Sequence, residues 1–85
     1  MKTFDYVITD EIGIHARPAG MLVKEAKETG AEVTVSCNGK RADAKKLMAL
    51  VGLGVKHGDT ITVTVEGDCE EEAAERLQTF LSENL

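Results

Sequence analysis

The chain has no tryptophan, a single proline and only three aromatic residues, Phe4, Tyr6 and Phe80. With so few rings for bases to stack on, and no strongly basic stripe, the sequence argues against nucleic acid as a partner. Cys37 and Cys69 are far apart and form no Cys-x-x-Cys pair. They read as free thiols, with no metal site and no redox pair. No apolar run approaches the ~20 residues needed to span a bilayer, so no membrane insertion is expected. The opening residues, Met1-Lys2-Thr3-Phe4-Asp5-Tyr6, lack the apolar centre of a signal peptide, and a cytoplasmic location follows as the expectation. A chain of 85 residues buries one modest core, so a single domain over residues 1–85 is expected, with no cofactor.

What is present is order. An apolar content of 42%, regularly spaced, argues against disorder. The net charge of −5 is uneven: residues 66–85 hold seven acidic side chains against Arg76 alone, whereas residues 1–65 are nearly neutral. Residues 2–9 alternate, with Phe4, Tyr6 and Ile8 on one face, and predict a half-buried strand. A loop over 10–14 hinges at Gly13. Ala19, Leu22, Val23 and Ala26 recur at helical spacing and predict a helix over 16–28 that stops at Gly30. Residues 32–37 alternate again, and Asn38-Gly39 is a strong hairpin signal into a short strand at 40–42. Asp43 is a candidate cap for a short helix over 45–52. Ile61, Val63 and Val65 alternate with Thr60, Thr62 and Thr64, which predicts a strand over 60–66. Asp68 and Glu71 then resemble a capping box opening a last helix, whose buried stripe is Ala73, Ala74, Leu77, Phe80 and Leu81. Gly52, Gly54 and Gly58 have the wrong spacing for a dinucleotide loop, and His57 beside them reads as a solvated side chain. The order β-α-β-β-α-β-α predicts an α+β, two-layer sandwich with helices on one face of a mainly antiparallel sheet. Alternation alone leaves the strand order open, and a ferredoxin-like arrangement fits it almost as well.

The chemistry gathers in Gly13-Ile14-His15-Ala16-Arg17-Pro18-Ala19. Pro18 suits a first helical turn, where its missing N–H costs nothing. His15 then falls at a helix start, where unpaired N–H groups of Ala16, Arg17 and their neighbours favour an anion. Arg17 adds a cation able to grip phosphate oxygens in two-pronged fashion. An imidazole with an ordinary pKa near 6.5 has a neutral, nucleophilic nitrogen in the cytosol. Together these residues suit a histidine that accepts a phosphoryl group and holds it. No metal is needed, and a small exposed site without a second catalytic group fits a relay better than a hydrolase. A partner surface is expected from the crowded apolar residues Leu47, Met48 and Val51, joined by Gly20, Met21 and Lys24 on the first helix.

Across residues 2–83 the chain resembles the HPr family, the histidine-containing phosphocarriers of the bacterial sugar phosphotransferase system. The resemblance rests on the Gly13–Ala19 motif, the Asn38-Gly39-Lys40 hairpin, the segment Ala44 to Gly58, and Ile61 to Gly67. It implies an open-faced sandwich with sheet order 1-4-2-3. It further implies that enzyme I passes a phosphoryl group to Nδ1 of His15, that Arg17 steadies it, and that an enzyme IIA domain receives it. The protein would then be a carrier, expected as a monomer, and no enzyme in its own right. A relay in the nitrogen-related branch of the same system, or a binding module without chemistry, are the alternatives. One departure is informative. Position 46, a regulatory serine in many relatives from low-GC Gram-positive bacteria, is lysine here, so no HPr-kinase switch is expected.

Overall fold

The computed structural model describes residues 1–11, 13, 14 and 16–85, Ala16 through its main chain alone. The first alternation forms β1 (Lys2–Val7), which turns Phe4 and Tyr6 onto the core and leaves Val7 53% exposed. β2 (Glu32–Cys37) buries Val33, Val35 and Cys37, and β4 (Thr60–Glu66) buries Ile61, Val63 and Val65. Their hydroxyl residues Thr34, Ser36, Thr62 and Thr64 lie half-buried on the other face. β3 (Lys40–Asp43) contributes Ala42 to the core. Every pairing is antiparallel, in the order β1-β4-β2-β3. This is the order the resemblance implies, and it settles what alternation left open. The hairpin between β2 and β3 turns through Asn38 (φ 53°) and Gly39 (φ 80°), two left-handed residues as a tight two-residue turn requires.

Three helices complete the fold: α1 (Ala16–Thr29), α2 (Leu47–Gly52) and α3 (Glu70–Asn84). α1 packs on both α2 and α3, and α3 also reaches β1 and β4. Ala19, Leu22 and Ala26 of α1 meet the buried stripe Ala73, Ala74, Leu77, Phe80 and Leu81 of α3 in one core, with Leu50 from α2. Gly30, at φ 72°, ends α1 as expected.

Local details differ from the sequence reading at the end of β1 and at the starts of two helices. β1 ends at Val7, because the N–H of Ile8 bonds Asp59 O and that of Thr9 turns to Leu85 O. α2 starts at Leu47, with Lys46 as its N-cap and no side-chain cap. The Asp43 carboxylate instead accepts from the N–H of Lys45 at 2.9 Å, closing the turn before the helix. α3 starts at Glu70 behind Cys69, again without a side-chain cap, so Asp68 and Glu71 form no capping box. Glu70, Glu71 and Glu72 do occupy its first turn, where carboxylates offset the helix dipole. A methyl group on Gly20 would meet nothing within 4 Å among the described residues, so no close approach among them requires that glycine.

Candidate functional site

α1 begins at Ala16, the residue that follows His15 in the sequence. His15, the expected phosphoryl acceptor, lies outside the described residues. The chain on either side of it is anchored. On the approach, the N–H of Gly13 donates to Asp10 O at 3.2 Å, and that of Ile14 to Val55 O at 3.1 Å. Ile14 is buried and anchors the loop in the core. Beyond the site, Pro18 is buried in the first turn of α1 and Ala19 is fully covered.

Arg17 stands between these anchors, exposed, and forms no ion pair among the described residues. It lines a depression of about 290 Å³ with Asp10, Pro18, Met21 and Asn84. Its guanidinium is thus presented to solvent at the helix start, where an anion would be met by five N–H donors. Pro18 has no N–H and contributes its fixed φ instead of a donor.

The expected partner surface divides. Met21 (42% exposed), Leu47 (39%) and Met48 (79%) are large apolar side chains facing water, on two helices that pack together. Lys24 is exposed as well. Val51 and Gly20 are only half-exposed, and Val51 packs partly against the core beside the fully buried Leu50. The short helix α2 therefore roots itself through Leu50 and displays Leu47 and Met48. Lys46, at its N-cap, is exposed and has no hydroxyl to modify.

The chain matches the family described as "PTS HPr component phosphorylation site" over residues 2–83. The chain belongs to the HPr family. Among curated relatives, the phosphocarrier protein HPr of Lysinibacillus sphaericus is 40% identical over 83 residues, covering 98% of this chain and 94% of the relative. That of Vibrio cholerae is 45% identical over 76 residues, covering 89% of each. A crystal structure of HPr from Thermoanaerobacter tengcongensis superposes with a TM-score of 0.92 at 33% identity, covering 99% of this chain and 94% of the other. A second structure from that organism, of an HPr dimer, superposes with a TM-score of 0.76 at 34% identity, covering 98% and 95%. The protein accordingly has the role of a phosphocarrier in the phosphotransferase system.

Other candidate groups carry little chemistry. Burial pushes the Cys37 thiol up from its ordinary value, with the Asp59 carboxylate adding to the effect, so it is a poor nucleophile. Cys69 donates from Sγ to Thr29 O at 3.0 Å, and both cysteines are free. His57 is exposed in the turn before β4. Among the described residues no cluster of His, Cys, Asp and Glu could hold a metal, and no helix is long and apolar enough to cross a membrane. A larger depression, about 690 Å³, lies between α1 and α3, lined mostly by exposed charged side chains. Sequence reasoning missed what holds the site loop in place. Gly13 was visible as a hinge, but nothing in the sequence pointed to Val55 O or Leu85 O as its supports.

Proposed function

We propose that His15 is the residue that takes and returns the phosphoryl group. In this reading Nδ1 of a neutral His15 attacks the phosphorus carried by enzyme I. The N–P bond on His15 forms as the bond to the donor breaks. The same group then leaves to a histidine on an enzyme IIA domain. Phosphoryl transfer asks little covalent chemistry of the protein and much positioning and charge stabilisation. Arg17 supplies the charge, with the first N–H groups of α1 beside it, and both act on the phosphate oxygens in each direction. In this reading the protein is a carrier, because it is the substrate of one partner and the phosphoryl donor to another.

The observation that carries this reading is the family match spanning residues 2–83, with Gly13-Ile14-His15-Ala16-Arg17-Pro18 inside it and Arg17 exposed and unpaired among the described residues. Met21, Lys24, Leu47 and Met48, with Gly20 and Val51 at their edges, form the surface on which enzyme I and enzyme IIA dock in turn. The chain works as one domain and as a monomer in the cytoplasm. Lys46 removes the serine switch, and incubation with HPr kinase and ATP leaves the protein unmodified.

The test is direct. With enzyme I and phosphoenolpyruvate, the protein should gain one acid-labile, base-stable phosphate, and His15→Ala should gain none. Phosphate retained in His15→Ala would move the site elsewhere. Sedimentation at working concentrations checks the monomer, and a dimer mass would overturn it.

A further inference from the structure

The loop that leads into the phosphoryl site is held from two independent directions, and neither hold is explained by core packing alone. On one side, three donors converge on a single oxygen. The N–H groups of Thr9 and Asp10 reach Leu85 O at 2.5 and 2.8 Å, and the hydroxyl of Thr9 donates to it at 2.9 Å. That acceptor is itself fixed. Leu85 is buried, its N–H bonds Leu81 O at 2.7 Å, and the hydroxyl of Tyr6 also donates to Leu81 O.

On the other side stands the turn before β4. Ile8 exchanges bonds with it, its N–H to Asp59 O and its carbonyl from Gly58 N–H, both at 2.9 Å. The Asp59 carboxylate accepts from Lys56 N–H at 3.0 Å and stiffens that turn. Val55 O then takes the N–H of Ile14. Gly13 passes so close to this main chain that a side chain there has no room. A Cβ would fall on Val55 O and within 2.7 Å of Lys56 Cα, and the backbone sits at φ 89°, where other residues are strained. The obstacle is backbone, so it cannot swing aside as a side-chain tip would.

We propose that these two holds form a clamp that positions the phosphoryl site, with Thr9 and Gly13 as positioning residues. The proposal rests on the reading of His15 given above. Ile8, Thr9 and Asp10 on one side, and Gly13 and Ile14 on the other, are thereby tied to the end of α3 and to the turn at 55–59. Transfer between two nitrogens is sensitive to placement, because a shift of about 1 Å can cost on the order of a hundredfold in rate. Docking, by contrast, uses the exposed side chains of α1 and α2, which the clamp does not touch. The clamp therefore acts on the rate of transfer within the docked pair and leaves its affinity alone.

Rapid-quench single-turnover transfer from phosphorylated enzyme I separates the two quantities. Gly13→Ala should lower the saturating rate constant by about tenfold or more, and Thr9→Val by about threefold to tenfold, as misplacement without loss of the nucleophile predicts. Half-saturating concentrations should stay within about twofold of wild type, since the docking residues are intact. Thr9→Ser keeps the hydroxyl and should restore the rate. The clamp is overturned if Thr9→Val transfers at the wild-type rate, if Thr9→Ser is as slow as Thr9→Val, or if only the half-saturating concentration changes. Should circular dichroism show Gly13→Ala unfolded, the Thr9 pair decides the matter. His15→Ala run alongside keeps the two claims apart. Phosphate still accepted there sinks the site itself, whereas an unaltered rate in Thr9→Val with no uptake in His15→Ala sinks the clamp alone.

Discussion

The two halves of α1 treat charge in opposite ways. Toward its C-terminal end, Glu25 and Glu28 are both taken by Arg76 of α3, the first at 2.6 Å. Nearby, the amino group of Met1 pairs with Glu70 and Lys2 with Glu71, tying β1 to the same helix. Toward its N-terminal end, Arg17 has no ion-pair partner among the described residues, and Met21, one turn on, is 42% exposed. One half is tied into the fold, and on the reading proposed above the other is the half that a partner meets. On the proposed reading of His15, the difference lets a chain of this size present a reactive loop without weakening its scaffold. Substitutions in the first region should change stability and spare transfer, and those in the second should do the reverse.

The sharpest test of the structural half is Leu77→Ala. Leu77 is fully buried in the middle of α3, where it joins α1 to the sheet. Removing it should cost about 2–5 kcal/mol of stability. Measured by urea unfolding, a smaller loss would mean that α3 is less essential than the packing indicates. At temperatures where the variant is folded, transfer should be unchanged.

Arg17→Ala attacks the presenting half. Because the side chain is exposed and unpaired among the described residues, the melting temperature should move by little. Transfer from enzyme I should fall by about a hundredfold, the usual effect of losing one donor to a developing oxyanion. Arg17→Lys should recover only part of this, since an ammonium lacks the two-pronged geometry. A large fall in melting temperature with normal transfer would erase the distinction between the halves.

Leu47→Ala and Met48→Ala probe the same half at docking. With 39% and 79% of these residues exposed, little core is lost on truncation. Each should weaken binding of enzyme I by about 1 kcal/mol or more if the patch is a contact centre, as calorimetry would report. Unchanged affinity combined with a lower melting point would place them with the scaffold instead.

How much of this could be read from residues alone follows the range of the interaction. Ala19, Leu22 and Ala26 carry a helical period, and Ile61, Val63 and Val65 a strand period, because each pattern is written within a few residues. Asn38-Gly39 carries its turn for the same reason. The helix starts were less legible. Asp43 and Asp68 are both good caps by type, yet Asp43 serves a turn and α3 opens at Cys69 without a side-chain cap. Least legible was the support of the site loop, since Thr9 and Leu85 stand at opposite ends of the chain. The proposed phosphoryl motif was plain in sequence because its residues are contiguous, and the proposed clamp was not because its residues are distant.

The smallest effect tests the ties between β1 and α3. The Glu70 carboxyl is held below its ordinary value, first by the hydrogen bond from the Met1 amino group. The attraction of that group and of Lys2 acts in the same direction. A carboxyl whose pKa is lower in the folded chain binds fewer protons there than in the unfolded chain. Its contribution is therefore complete above the unfolded value, near 4.3 for glutamate, and is lost as pH falls through the lowered folded value. Wild type should melt slightly above Glu70→Gln at pH 6, and the gap should close as the pH is taken down through the acid range. Salt should narrow the gap at pH 6, because exposed pairs are screened. A gap independent of both pH and salt would show that Glu70 stabilises through packing and not through Met1. The ties between β1 and α3 would then no longer be a matter of matched charge.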